Sequence, residues 1–176
     1  AGFTHWAKLN NLKQAAKTMN FLTEHGISSY GELESKLTAI SARRDTAHAE
    51  IKRIESRSAE LALVMKHAGT YRQLKPLYDR YRKSNDKEKF LRGHESEIIL
   101  FEAAARELKR LGTVPLPTTE SMKTELANLN AEKERLLAEY KAARAEAQEY
   151  ETVKQNVDAL LTVAKEQEQQ RRHELE

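Results

Sequence analysis

The sequence predicts an all-α chain: a long antiparallel coiled-coil hairpin with a small helical head and an N-terminal helix packed at its base. Three observations carry this. Helix breakers are scarce, with 6 Gly and 3 Pro in 176 residues. Charged residues make up 32% and aromatic ones only 6%, which suits long thin helices better than a thick globular core. Two stretches also space their apolar residues alternately four and three apart, the rhythm of a helix seam.

The first helix is expected over about Thr4 to His25. Trp6, Leu9, Leu12, Ala16, Met19 and Leu22 share one face there, and Gly26 stands where a left-handed cap belongs. Ser29 and Glu32 have capping-box spacing, so a second helix should begin beside them. Leu33, Leu37, Ile40, Arg44, Ala47, Ile51, Ile54, Ser58, Leu61, Met65 and Ala68 keep the 4-3 alternation, with Arg44 and Ser58 interrupting it. The rhythm falters at Gly69. Pro76 lacks an N–H and clashes with the preceding turn, so the helix should break or kink between about Ala68 and Pro76.

A short helix is then expected around Leu74, Leu77, Tyr78 and Tyr81, with Ser84-Asn85-Asp86 as a turn or cap. Another runs from about Lys87 to Leu111, with Phe90, Ile98, Leu100, Phe101 and Leu108 partly buried and Gly112 as cap. The Thr113–Pro117 segment should be extended, because residues before Pro avoid helical geometry. The last helix should start at Thr118 or Thr119. Met122, Leu126, Leu129, Lys133, Leu136, Tyr140, Ala143, Ala147, Tyr150, Lys154, Val157, Leu161 and Ala164 restore the 4-3 rhythm, and the polar tail from Glu166 to Arg172 should fray.

This divides the chain into an N-terminal helix (1–27), a first stalk helix (28–68), a helical head (69–116) and a second stalk helix with a frayed tail (117–176). Antiparallel pairing would bring Leu33 near Val157 and Ala68 near Met122, with the first helix on Val157, Leu160 and Val163. The alternative is an unbroken second helix past Pro76 with the last helix pairing between two chains, so a monomeric hairpin and a coiled-coil dimer both remain open.

Several classes of chemistry lack their residues. There is no Cys, hence no disulfide or thiolate metal site, and a cytoplasmic location is the simpler expectation. No apolar run approaches the roughly 20 residues of a membrane span. The chain opens Ala1-Gly2-Phe3, which reads as a processed chain or a piece of a longer one. His5, His25, His48, His67, His94 and His173 never fall four apart, and phosphate-loop, dinucleotide and nucleophile-elbow motifs are missing. Carboxylates such as Glu55 and Glu139 sit among helical cations such as Arg57 and Arg144, as on a solvated face. No catalytic residue, metal ligand or cofactor is expected.

One segment stands above this background. Net charge is only +3, but residues 66–92 hold nine Lys or Arg against three acids, whereas residues 117–176 hold nine against thirteen. Arg72, Lys75, Arg80, Arg82, Lys83, Lys87 and Lys89 alternate with Tyr71, Tyr78 and Tyr81. Cations neutralise phosphates and aromatic faces stack on unpaired bases, so these seven cations are the candidate nucleic-acid contacts. The plainer reading makes Leu74, Leu77, Tyr78 and Tyr81 the head's core and the cations its wet side.

Five stretches carry a family resemblance. They are HWAKLNNLKQAAKTMNFL from His5 to Leu22, YDRYRK from Tyr78 to Lys83, Lys89-Phe90, HESEIIL from His94 to Leu100, and TVKQNVD from Thr152 to Asp158. Their order and spacing over nearly the whole chain resemble the region after the nuclease domain in relaxases (mobilization nucleases) of integrative and conjugative elements of Gram-positive gut bacteria. The resemblance implies a parent protein that nicks DNA at a transfer origin with a Tyr and a His-bound metal. None of those residues has a counterpart here. What it implies for this chain is a non-catalytic helical part that grips DNA or recruits relaxosome or coupling proteins. A coiled-coil interaction or spacer module without DNA contact is the competing expectation.

Overall fold

The computed structural model describes residues 2–113 and 115–174, with the side chains of residues 2–10 left aside. Four helices follow one another: α1 (Gly2–Glu24), α2 (Tyr30–Lys83), α3 (Lys87–Arg110) and α4 (Thr119–Glu174). The described residues contain no strand. The all-α expectation holds, with long helices packed against one another. Contacts divide the chain into two compact units, Ala1–Ala49 with Leu137–Glu176, and Glu50–Leu136. Both long helices contribute to each unit.

Local signals set most helix ends. Gly26, at φ 61°, closes α1. The Ile27 N–H donates to Leu22 O at 2.8 Å and the Gly26 N–H to Thr23 O at 3.1 Å, a Schellman closure whose flanking apolar pair, Leu22 and Ile27, packs in one cluster. Gly112, at φ 68°, repeats it after α3: Thr113 N–H reaches Leu108 O and Gly112 N–H reaches Lys109 O, both at 3.1 Å. At the start of α2 the Glu32 N–H donates to Ser29 Oγ at 3.2 Å. The Glu32 carboxylate accepts from Ser28 N–H and Oγ–H rather than from Ser29, one residue away from the expected reciprocal bond. Those bonds, the Ser28 backbone first, hold the Glu32 carboxyl below its ordinary range. Asp86 caps α3 through Lys89 N–H at 3.0 Å, and Thr118 caps α4 through Ser121 N–H at 3.1 Å.

Of the break or kink expected between Ala68 and Pro76, the break does not occur. The helix runs through Pro76 to Lys83, so Leu74, Leu77, Tyr78 and Tyr81 belong to its last turns and not to a separate short helix. A proline inside a helix costs about 3 kcal/mol relative to Ala. Packing on both sides of Pro76 offsets that here: Val64 and Ala68 lie in a buried cluster before it, and Tyr71 and Tyr78 both stack on Phe101.

In the first unit, Leu33 and Ile40 of α2 join Ala147, Tyr150 and Val153 of α4 and Phe21 and Ile27, with Leu22, Leu37 and Val157 packed against them. The second unit clusters Leu61, Val64 and Ala68 of α2 with Leu108 of α3 and Met122 of α4. Leu33 and Val157 share one cluster and Ala68 and Met122 the other, pairs compatible with antiparallel packing of the two seams. Val64 and Val153, off the 4-3 rhythm, are buried because a third helix covers a second face in each unit.

Three placements differ from the sequence expectation. α1 packs on α4 through Phe21, which meets Tyr150 edge-on at 5.0 Å, whereas Leu160 and Val163 remain 41% and 50% exposed. Asn11, Gln14 and Ala15 pass beside them, and small or polar groups leave a cavity of about 210 Å³ there. Trp6 and Leu9 lie outside the described side chains. Leu100 is 55% exposed, because the buried stripe of α3 is Ile98, Phe101, Ala104 and Leu108, and residue 100 points away from it. The tail of α4 stays helical to Glu174 with residues 161–174 exposed, and an Arg172–Glu168 pair at 2.7 Å ties its last turns.

Candidate nucleic-acid interface

The seven candidate cations all lie in the second unit, on the last turns of α2 and the first turn of α3, and all are exposed. They divide into two groups. Arg72 donates to Thr119 Oγ1 at 2.7 Å and to Pro117 O, fastening the segment before α4 to α2. Lys75 pairs with Asp79 at 2.9 Å, one turn along its own helix, and that hydrogen bond raises its pKa. Arg72 thus ties two segments together, whereas Lys75 is held in an exposed pair within its own helix.

Arg80, Arg82, Lys83, Lys87 and Lys89 make no ion pair among the described residues. They flank the Ser84–Asn85–Asp86 turn, and residues 80–92 hold six Lys or Arg against two acids. The Asp86 carboxylate is committed to the Lys89 N–H. Glu88 lies 3.9 Å from Arg92, too far for a hydrogen bond. Arg80, Arg82 and Lys83 suit the negative end of α2. Lys87 and Lys89 sit at the positive end of α3, where a cation gains nothing from the helix dipole.

The interleaved aromatic residues form a ladder between α2 and α3. Tyr71 stacks on Phe101 at 4.8 Å, and Phe101 stacks on Tyr78 at 4.1 Å. Tyr78 leans on Tyr81 at 5.9 Å, Tyr81 on Phe90 at 6.0 Å, and Phe90 on His94 at 4.9 Å. Tyr78, Tyr81, Phe90 and Phe101 thus each have two ring neighbours. The composition of residues 71–83 gave no sign of this, because the partners Phe90 and Phe101 lie on another helix.

α3 bends at His94, whose backbone leaves helical geometry at φ −141° and ψ 23°. Lys87 and Lys89 ride on the segment before the bend. The His94 Nδ1 is buried without a hydrogen bond, and Glu97 lies 3.7 Å from it. Nothing in the sequence marks this bend except Gly93 beside it.

Elsewhere several charges are paired across helices. Arg57 reaches Glu125 at 2.7 Å and Glu60 at 3.2 Å, and the Glu125 hydrogen bond raises its pKa. Glu55 and Arg57, two apart, do not face each other, and Glu55 meets Lys133 at 2.8 Å instead. In the first unit Arg43 pairs with Glu146, and the Tyr30 hydroxyl donates to Asp158 at 2.6 Å, holding that carboxyl below its ordinary range. Among the described residues, no three His, Asp or Glu side chains converge as a metal ion requires, and no helix is long and apolar enough to cross a membrane.

No family model, curated protein or solved structure matches this chain.

Proposed function

We propose that the chain is a non-catalytic accessory domain of a conjugative DNA relaxase that contacts DNA through Arg80, Arg82, Lys83, Lys87 and Lys89. The observation that carries the reading is the local charge excess around the 84–86 turn, six Lys or Arg against two acids in residues 80–92, with no ion pair to these five cations among the described residues. Repulsion among clustered cations destabilises a fold unless a polyanion neutralises them. The resemblance to relaxases of integrative and conjugative elements supplies the identity of that polyanion. DNA is released as salt rises, because each neutralised phosphate gives up a condensed counterion.

The test is fluorescence anisotropy of the whole chain with labelled DNA at several salt concentrations. Salt-sensitive binding, abolished by the joint reversal Arg80→Glu, Arg82→Glu and Lys83→Glu at unchanged thermal stability, is the expected result. Binding that survives the reversal sinks the reading.

A second reading, recruitment of a relaxosome or coupling protein by coiled-coil contact, has its own observation. Leu160, Leu161 and Val163 are 41%, 47% and 50% exposed on α4, where the apolar rhythm outlasts the buried seam. Pull-down of a conjugation protein lost on Leu161→Asp, with DNA binding intact, would favour it. Sedimentation would show whether a second copy of the chain takes that place.

A further inference from the structure

We infer that the basic surface around the Ser84–Asn85–Asp86 turn reads the phosphate backbone alone, so that its ligand is duplex nucleic acid with its bases paired, held by five cations and not by all seven of the segment. The inference rests on the nucleic-acid reading above and narrows it to a ligand class and a contact chemistry.

Two independent observations lead there. The first is the use made of the aromatic rings. A surface that holds unpaired bases needs ring faces on which to stack them. The aromatic residues beside these cations already pack on one another, stacked from Tyr71 through Phe101 to Tyr78 and tilted from Tyr78 through Tyr81 to Phe90. Tyr78 lies nearly parallel to Phe101 at 22°, and Tyr81 sits between Tyr78 and Phe90. Phe90 in turn sits between Tyr81 and His94. Tyr71, Tyr78, Tyr81 and Phe90 are all half-buried, and each already has at least one ring packed against it. Opening the ladder for a base would break the packing that carries α2 past Pro76.

The second observation is the division of the cations. Arg72 is tied to Pro117 O and Thr119, and Lys75 to Asp79. Of the seven, Arg80, Arg82, Lys83, Lys87 and Lys89 make no ion pair or side-chain hydrogen bond among the described residues. With charge alone to bind, the form with the higher charge density is preferred. A duplex carries one charge per about 1.7 Å of its axis, twice the density of one of its strands.

The inference gives numbers. Five contacts predict a slope of about −4.5 for log affinity against log salt on duplex DNA, where seven would give about −6.3. Arg72→Ala and Lys75→Ala should leave the slope unchanged, and Lys87→Ala or Lys89→Ala should each reduce it by about 0.9.

The decisive experiment is anisotropy of the whole chain with three labelled probes of equal length: a DNA duplex, an oligothymidine strand, and an abasic strand that keeps the phosphates and lacks bases. The expected result is that duplex binds most tightly and that the two single strands agree within about twofold. Stacking of even one base, worth about 1 kcal/mol or more, would favour oligothymidine over the abasic strand by about fivefold or more. That outcome, or oligothymidine binding tighter than duplex, overturns the inference while leaving the DNA reading standing. Binding to none of the three overturns both. The probes need no protein variant, so a mutation that disrupts folding cannot obscure the answer.

Discussion

The two units place their polar chemistry differently. In the first, polar groups close on one another between helices. Thr18, 2% exposed, donates to Gln14 O at 2.9 Å and accepts from Asn156, while Gln14 donates to Asn156 at 2.9 Å. Tyr30 meets Asp158, and Lys154 lies near both Asp158 and Glu34. The second unit also closes Arg57 on Glu125 and Glu55 on Lys133, but around its 84–86 turn the helices meet through rings, and Arg80, Arg82, Lys83, Lys87 and Lys89 make no ion pair among the described residues. Polar groups that satisfy each other fix a packing arrangement, whereas charges left open leave the surface field unneutralised. The contrast separates polar residues engaged with one another from cations left open at the surface.

The comparison can be broken most sharply at the first unit's core. Leu33 is 1% exposed, and Leu33→Ala should cost about 2–5 kcal/mol in chemical denaturation. Reversing Arg80, Arg82 and Lys83 should leave that stability nearly unchanged. A large loss from the cation reversal would mean that those side chains serve the fold.

Pro76→Ala should act in the opposite direction. Residue 76 is exposed, so the change removes little packing and restores a helix hydrogen bond, for a gain of up to about 3 kcal/mol. A rise in the melting temperature checks it. No gain would show that α2 already accommodates the ring without cost.

Thr18→Val keeps the shape of the side chain but leaves the Asn156 amide without its acceptor. It should cost about 1–3 kcal/mol, read by denaturant melts. A neutral result would mean that water satisfies Asn156 equally well.

The smallest effect concerns pH. Asp158 has its pKa lowered in the folded chain, first by the Tyr30 hydroxyl. A depressed carboxyl contributes stability that is complete above its unfolded value, about 3.9, and is lost as pH falls through the lower folded value. Tyr30→Phe should therefore move the Asp158 titration, followed by carboxyl NMR, upward and reduce the stability lost on acidification. An unmoved titration would assign the depression to Lys154 instead.

Much of the fold was legible because it is written in local spacing. The 4-3 rhythm from Leu33 to Ala68 marks residues that are all buried or half-buried, including the interruptions Arg44 and Ser58. Gly26 and Gly112 announced their left-handed caps, since only a residue without Cβ adopts that backbone cheaply. The rhythm on α4 was legible too, but its exposed end, Leu161 and Ala164, was not, because periodicity shows which face is apolar and not how far a partner extends. At Pro76 a correct local rule was overruled by packing. The candidate cations could be named from the sequence, but nothing local separated Arg72 and Lys75 from the other five. Their partners Pro117 and Thr119 lie more than forty residues away, and Asp79 competes only because α2 remains helical there.

By itself the sequence determined the all-helical class, most helix caps, the apolar seams and the basic run, all properties of residues within a turn or two of one another. The tertiary structure decided which seam residues have a partner, that α2 continues through Pro76, that the tyrosines face Phe90 and Phe101, and which cations remain open. Those outcomes depend on what a distant segment places against each side chain, and a free-energy balance between a local penalty and a long-range contact cannot be read from either segment alone.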